Sequence, residues 1–249
     1  MDIKLIICDL DRTLRRNDGN IPQYSIDILH KCRDIGILLG FATTRSQLAA
    51  QKCIDAVRPD VLALDGGALA KINDEIIYLA KVEASTATSL LDAIKQAPDV
   101  GHIIATTPRG YFDGEYFNLS AGAFKIVAQV SESSAKAIVR PFADIGYVPH
   151  SDDRWTSFAH IGATKWQAVD AVAAHLGINP AQIAAFGDDF SDVEMLANCG
   201  FGVAMGNAIP EAKSAAKYVC IDNEQDGVAR WLETNILNER SEADASSGI

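Results

Sequence analysis

Residues 3–14 read IKLIICDLDRTL, and the punctuation of that stretch decides the fold. Ile3 to Cys8 is a short, mostly apolar run rich in β-branched side chains, the composition of a strand covered on both faces. It stops at two carboxylates, Asp9 and Asp11, with only Leu10 between them. Carboxylates resist burial, so a pair at the mouth of a core strand calls for a cation or a reaction. In open α/β sheets ligands lie beyond the carboxyl ends of the strands, which is where Asp9 and Asp11 would stand.

Downstream, the polar loop Arg15 to Asn20 leads to Pro22, which suits the first turn of a helix running to about Ile35 with Gly36 as its stop. Ile37 to Ala42 reads as a second apolar strand, ending in Thr43-Thr44-Arg45. Ser46 is the expected N-cap of a helix that ends near Arg58-Pro59. Val61 to Leu64 is a third strand, closed by Asp65-Gly66-Gly67. This alternation predicts a parallel sheet with right-handed crossovers. Leu69 to Val82 reads as a hairpin turning near Asn73-Asp74.

The rhythm then changes. A helix is expected over Ser85–Gln96, strands over His102–Thr107, Gly110–Phe117 and Phe124–Val130, and a helix over Glu132–Ile145 that Pro141 should kink or shorten. Tyr147–His150 and Trp155–His160 read as a closing hairpin. Helix and two strands, given twice, is an α+β layer. The expectation is an inserted domain at 83–153 between core segments 1–82 and 154–249. From Thr164 the parallel pattern resumes with a helix to Leu176, broken by Gly177. A strand over Ile183–Phe186 delivers Gly187-Asp188-Asp189, followed by a helix over Ser191–Ala197. Phe201–Ala204, Ala208–Ala215, Tyr218–Ile221 and Asp226–Ile236 finish the alternation. The polar tail from Asn238 is expected to be disordered.

The 249 residues are 48% hydrophobic and 22% charged, ordinary for a soluble globular protein. The formal charge of −11 argues against nucleic acid or an anionic membrane as a partner. An acidic protein that handles phosphate needs a metal ion to offset its own field. Five scattered cysteines without a CxxC pair suit reduced thiols rather than disulfides or zinc. The first strand begins at once, leaving no room for a signal peptide, and no apolar run reaches the length of a membrane span. A cytoplasmic location is expected.

Four places carry chemistry: Asp9/Asp11, Thr43, Lys165 just inside a helix, and Asp188/Asp192. Each alone has a plain alternative as a cap, a turn residue or a solvated side chain. Together they are the parts needed to move a phosphoryl group. Mg²⁺ takes oxygen ligands and keeps several waters, so a few carboxylates suffice to hold it. An aspartate can attack phosphorus and form an aspartyl-phosphate, and a second carboxylate can shuttle the proton. A hydroxyl, a lysine and helix-start N–H groups can hold the transferring oxygens.

These residues carry a resemblance. DLDRTL (9–14), ATTR (42–45), GATK (162–165) and GDDFSD (187–192) resemble, in order, the four motifs of the haloacid dehalogenase (HAD) superfamily of phosphohydrolases. GVAMGNAIPEAK (202–213) resembles the run that follows the fourth motif in the Cof-like or sucrose-phosphatase-like branch. The resemblance implies a HAD-like Rossmannoid α/β core with a parallel sheet and an inserted α+β cap of the C2 type, αββαββ. It implies Asp9 as nucleophile and Asp11 as general acid/base. Thr43, Thr44 and Lys165 would hold the phosphoryl oxygens, with Asn207 lining the same pocket. Mg²⁺ would be held by Asp9, the Asp11 backbone carbonyl, Asp188 and Asp192, the last directly or through water. Three positions depart from the pattern: Arg12 stands for the usual Gly, Ser191 for Asn, and Gly66 for Asn.

The implied activity is a Mg²⁺-dependent phosphatase acting on a small phosphorylated metabolite, a sugar phosphate or phosphoglycolate. Arg109, Tyr111 and Lys125 are the cap residues that could touch it. A phosphotransferase or phosphomutase would use the same parts, and a non-catalytic phosphometabolite-binding protein could share the scaffold. The five histidines show no ligand spacing and are expected to be structural or superficial.

Overall fold

The computed structural model describes residues 1–114, 116–151 and 155–238. Its first strand, β1 (Leu5–Cys8), is buried at every position, as the apolar run predicts. The chain continues through α1 (Gln23–Asp34), β2 (Leu38–Ala42), α2 (Gln47–Val57) and β3 (Val61–Leu64) to the hairpin β4 (Leu69–Ile72) and β5 (Glu75–Leu79). Next come α3 (Ala84–Lys95), β6 (Ile103–Thr107), β7 (Gly110–Asp113), β8 (Lys125–Gln129), α4 (Glu132–Val139), β9 (Ile145–Pro149) and β10 (Trp155–His160). The last part is α5 (Lys165–Leu176), β11 (Ile183–Gly187), α6 (Val193–Asn198), β12 (Phe201–Ala204), α7 (Pro210–Ala215), β13 (Tyr218–Val219) and α8 (Gly227–Leu232).

Eight strands form the main sheet in the order β13-β12-β11-β1-β2-β3-β4-β5. The strands from β13 to β3 are parallel, and the β4–β5 hairpin extends the edge antiparallel. β1 lies between β2 and β11, so the connections leave it in opposite directions. That is the switch point at which open α/β sheets bind ligands. Leu5, Ile6 and Ile7 are fully buried beneath it. Burying side chains of that size stabilises by about 1.5–3 kcal/mol each.

The second sheet is antiparallel, in the order β7-β6-β8-β10-β9. It has its own apolar cluster, from Val82 through Leu90, Ile94 and Ile126 to Phe158. The fold is thus the expected parallel α/β core with an inserted α+β layer, and the local signals account for its details. Ser46 Oγ caps α2 by accepting from the Ala49 N–H, and Thr164 Oγ1 caps α5 by accepting from Gln167. Pro141 leaves α4 ending at Val139, well short of Ile145. The first helix-and-strands unit of the cap carries an additional short edge strand, β7.

One boundary moves. The expected division at 153/154 lies outside the described residues, but β10 pairs with β8 and β9 and therefore belongs to the cap sheet. The return to the core falls between His160 and Lys165, because a strand stays in the sheet that satisfies its backbone. The tail from residue 239 onward also lies outside the described residues. No helix among the described residues is long and apolar enough to cross a membrane.

The turn after β3 presses on the start of α5. A Cβ on Gly67, which has φ +96°, would lie 2.0 Å from the Thr164 carbonyl oxygen. Gly67→Ala is therefore expected to destabilise the protein by about 2 kcal/mol or more, read from urea unfolding. An unchanged midpoint would show that this contact does not position α5.

Candidate active site

Three motif segments meet through one ammonium group. Thr164 caps α5, which places Lys165 in its first turn with a fully buried side chain. Lys165 Nζ donates to Asp9 Oδ1 at 2.6 Å and to Asp192 Oδ1 at 2.7 Å. Burial alone would pull this ammonium down, but Asp192 and Asp9 outweigh it and hold it above the usual lysine range. Burial pushes the Asp9 carboxyl up, with Lys165 opposing.

Asp188 and Asp192 follow β11. Asp192 Oδ2 accepts from the backbone N–H groups of Asp188 and Asp189, both at 3.0 Å. This close return requires Gly187, where a Cβ would meet Asp192 Cβ at 2.4 Å. Asp188 Oδ1 accepts from the Thr13 hydroxyl at 3.0 Å, whereas its buried Oδ2 has no hydrogen-bond partner. Burial, then the Asp192 carboxylate, push Asp188 up to about 7, against Arg12 and Lys165.

Asp9, Asp188 and Asp192 each present a carboxylate oxygen within 4.8 Å of the others. Three carboxylates are buried here, Lys165 bonds two of them, and Asp188 Oδ2 accepts no hydrogen bond. This donor set fits a hard divalent cation. Asp192 belongs to the same group, and both its oxygens also accept hydrogen bonds, from Lys165 and from the turn after β11.

Asp11 faces differently. Its carboxylate accepts from Arg45 Nε at 2.6 Å and Nη2 at 2.9 Å, and also from Arg15. Burial pushes this carboxyl up, but the two guanidinium groups outweigh it and hold it below the usual range. Thr43 is fully buried, and its hydroxyl oxygen accepts from the Arg45 N–H. Its neighbour Thr44 lines the cavity above the site.

Asn207 has another task than the one expected of it. Its amide nitrogen donates to the Arg12 carbonyl at 2.8 Å, and its oxygen accepts from the Asn223 N–H at 3.1 Å. With both ends of the amide engaged, it braces the loop after β1 and is not part of the cavity wall. Arg12 itself has φ +58°, a conformation that explains why glycine suits this position. Its guanidinium donates to Ser151 Oγ of the cap at 3.0 Å and stands 3.5 Å from Asp188 Oδ2.

A cavity of about 570 Å³ lies between core and cap, lined by Asp9, Asp11, Lys165 and Asp188 below and by the β9–β10 hairpin of the cap. Lys125 reaches it, and its ammonium donates to the Thr44 carbonyl across the two sheets. Arg109 and Tyr111 are exposed on the β6–β7 hairpin and do not line it. His150 and His160, expected to be structural or superficial, are on the wall, as is Asp65. Asp65 carries no sequence signal, because a lone Asp before two glycines reads as a turn. Arg45, which clamps Asp11, is marked in the sequence only by its place beside Thr43 and Thr44.

The sequence matches the haloacid dehalogenase-like hydrolases over residues 6–137 and 116–232, and the chain belongs to that family. The 5-amino-6-(5-phospho-D-ribitylamino)uracil phosphatase YitU of Bacillus subtilis is 24% identical over 264 residues, 92% of this chain and 96% of that protein. HMP-PP phosphatase of Serratia proteamaculans is 43% identical over 75 residues, 29% of this chain and 27% of its own. Among solved structures, the HAD subclass IIB sugar phosphatase BT4131 superposes with a TM-score of 0.82 at 20% identity, over 93% of this chain and 98% of the other. BT1666 from Bacteroides thetaiotaomicron gives 0.83 at 21%, over 93% and 94%. At those identities the structural likeness shows the fold. With the family match and the phosphatase relatives, the chain is an enzyme, a phosphoric monoester hydrolase of the HAD type.

A raised carboxyl disfavours folding once it ionises. The Asp188 contribution is absent below 3.8, grows with pH, and is complete above about 7. In metal-free protein, Asp188→Asn is expected to raise the thermal midpoint at about pH 8, with the gain shrinking toward about pH 4. A gain that is the same at both pH values would mean that Asp188 is not the titrating group.

Proposed function

We propose that this chain is a Mg²⁺-dependent phosphatase that hydrolyses a small phosphorylated metabolite through an aspartyl-phosphate on Asp9. The observation that supports it best is the buried Lys165 bridging Asp9 and Asp192 beside the orphaned Asp188 oxygen. Asp9 lies at the end of β1 with one oxygen held by Lys165, which leaves the other to attack phosphorus. The new Asp9–phosphorus bond forms as the ester oxygen leaves. Water then cleaves the acyl phosphate and regenerates the carboxylate.

Asp11 lines the same cavity and serves as the proton carrier, giving a proton to the leaving oxygen and taking one from water. Arg45 and Arg15 favour its ionised form, which is the form needed in the second step. Lys165 holds negative charge on the transferring oxygens, with Thr43 and Thr44 at the end of β2 beside it. Mg²⁺, held by Asp9, Asp188 and the Asp11 backbone carbonyl, would neutralise the phosphate and bring it to the nucleophile.

Small substrates follow from the cap. Contacts from Lys125 to Thr44 and from Arg12 to Ser151 cross the mouth of the site, which favours an ester small enough to be enclosed. YitU and HMP-PP phosphatase are both named for small phosphorylated molecules. The five free cysteines suit a reducing compartment, in keeping with work in the cytoplasm.

Asp9→Asn is expected to lower phosphate release by about 10³-fold or more while the circular dichroism spectrum is retained. Wild-type turnover by that variant would remove Asp9 from its role. EDTA is expected to stop turnover and Mg²⁺ to restore it. At about 100 times its dissociation constant, Mg²⁺ should also stabilise the wild type by about 2.7 kcal/mol. Asp188→Asn should abolish that stabilisation, and an equal gain in the variant would place the ion elsewhere.

A further inference from the structure

The side-chain bonds between cap and core fall at opposite ends of the β9–β10 hairpin. β10 ends at His160, where the chain returns to the core, and β8 begins just after Ala123, which pairs with Val82 where the chain leaves it. Ile126 is level with Phe158, so Lys125 and its bond to the Thr44 carbonyl lie at this linker end. Ser151 is at the other end, in the connection between β9 and β10. A strand rises about 3.3 Å per residue, so the six residues of β10 put that tip roughly 16 Å from the linkers. A bond near a hinge resists rotation weakly, whereas a bond at the far tip resists it with the longest arm.

At the tip the core presents Arg12. Its guanidinium turns three nitrogens to three segments. Nη1 donates to Ser151 Oγ at 3.0 Å, Nη2 donates to the Asn207 carbonyl at 3.2 Å, and Nε stands 3.5 Å from Asp188 Oδ2. The Asn207 amide donates in turn to the Arg12 carbonyl at 2.8 Å, so backbone and side chain of Arg12 are both clipped to the turn after β12. The core therefore holds the fork still and aims one arm at the cap. Ser151 is bound a second time, its N–H donating to Asp189 Oδ2 at 3.2 Å. A lysine could not replace this arrangement, because an ammonium is a compact point charge and a guanidinium a rigid planar fork. The chain also accepts φ +58° at a residue that bears a side chain, a strain that these contacts offset.

We propose that Arg12 is a positioning residue, a latch that holds the tip of the cap hairpin on the core, so that the cavity opens only when its bond to Ser151 breaks. It acts through Ser151 and takes no part in phosphoryl transfer. The latch needs only the fold; its kinetic consequence rests on the phosphatase reading above.

Amide hydrogen exchange, read by NMR, tests the latch without substrate. The Ser151 N–H, bonded across the gap to Asp189, should exchange about fivefold faster or more in Arg12→Gly and Arg12→Lys, the factor expected from losing one hydrogen bond. The His150 N–H, bonded to the Trp155 carbonyl inside the hairpin, should keep its wild-type rate. Glycine accepts φ +58°, so Arg12→Gly retains the fold. Unchanged exchange at Ser151 in Arg12→Gly overturns the latch. So does wild-type protection in Arg12→Lys, since charge without the fork would then suffice. With an aryl phosphate, Arg12→Gly and Ser151→Ala should each lower kcat/KM by about fivefold, chiefly through KM, and the double variant should be no worse than either alone. Additive losses would put Arg12 on the substrate instead of on Ser151 and overturn the proposal. If the wild type released phosphate from no ester, the phosphatase reading would fall, and the exchange rates alone would decide the latch.

Discussion

Three carboxylates buried around one ammonium are the constraint from which the rest of this structure follows. Asp9, Asp188 and Asp192 would repel one another strongly in a site this dry, and Lys165, with the Arg12 guanidinium 3.5 Å from Asp188, answers only part of that charge. The arrangement survives because rigid elements impose it. β1 and β11 are hydrogen-bonded neighbours, so their carboxyl ends lie side by side. Thr164 fixes the start of α5, and Gly187 lets Asp192 fold back against the strand. The charge left uncompensated suits a cation, which the proposed phosphoryl transfer would draw on.

The cap is tied to this centre by the site's own side chains. Arg12 departs from the family pattern at a backbone conformation that costs a non-glycine residue about 1–2 kcal/mol. In return its guanidinium links the loop after β1 to Ser151, and the Ser151 N–H donates to Asp189. Lys125 makes a second link, from β8 to the Thr44 carbonyl. Closure and chemistry are thus coupled through the same few residues. A substrate that enters must replace or accommodate those bonds, so the cap contacts are also where selectivity is decided.

Legibility differed sharply between residues. Asp9, Lys165, Asp188 and Asp192 could be read because each follows a strand or opens a helix, and their motifs occur in order. Asn207 belonged to an equally recognisable run, yet its amide is spent on Arg12 and Asn223. Motif membership says that a side chain is near the site, not which way it points. Asp65 gave no signal, since Asp-Gly-Gly is also an ordinary turn; only the cap strand packing above it reveals a buried carboxylate.

The alternation of apolar runs with amphipathic helices determined the parallel core, the inserted layer and the strand ends at which acidic residues stand, because periodicity and capping are local properties. Pairing is not local. That β10 belongs to the cap, that Arg45 takes hold of Asp11, and that Lys125 reaches the Thr44 carbonyl depend on contacts between segments far apart in the chain. Those contacts form only when two sheets with separate cores close on one cavity, so the tertiary structure alone could decide them.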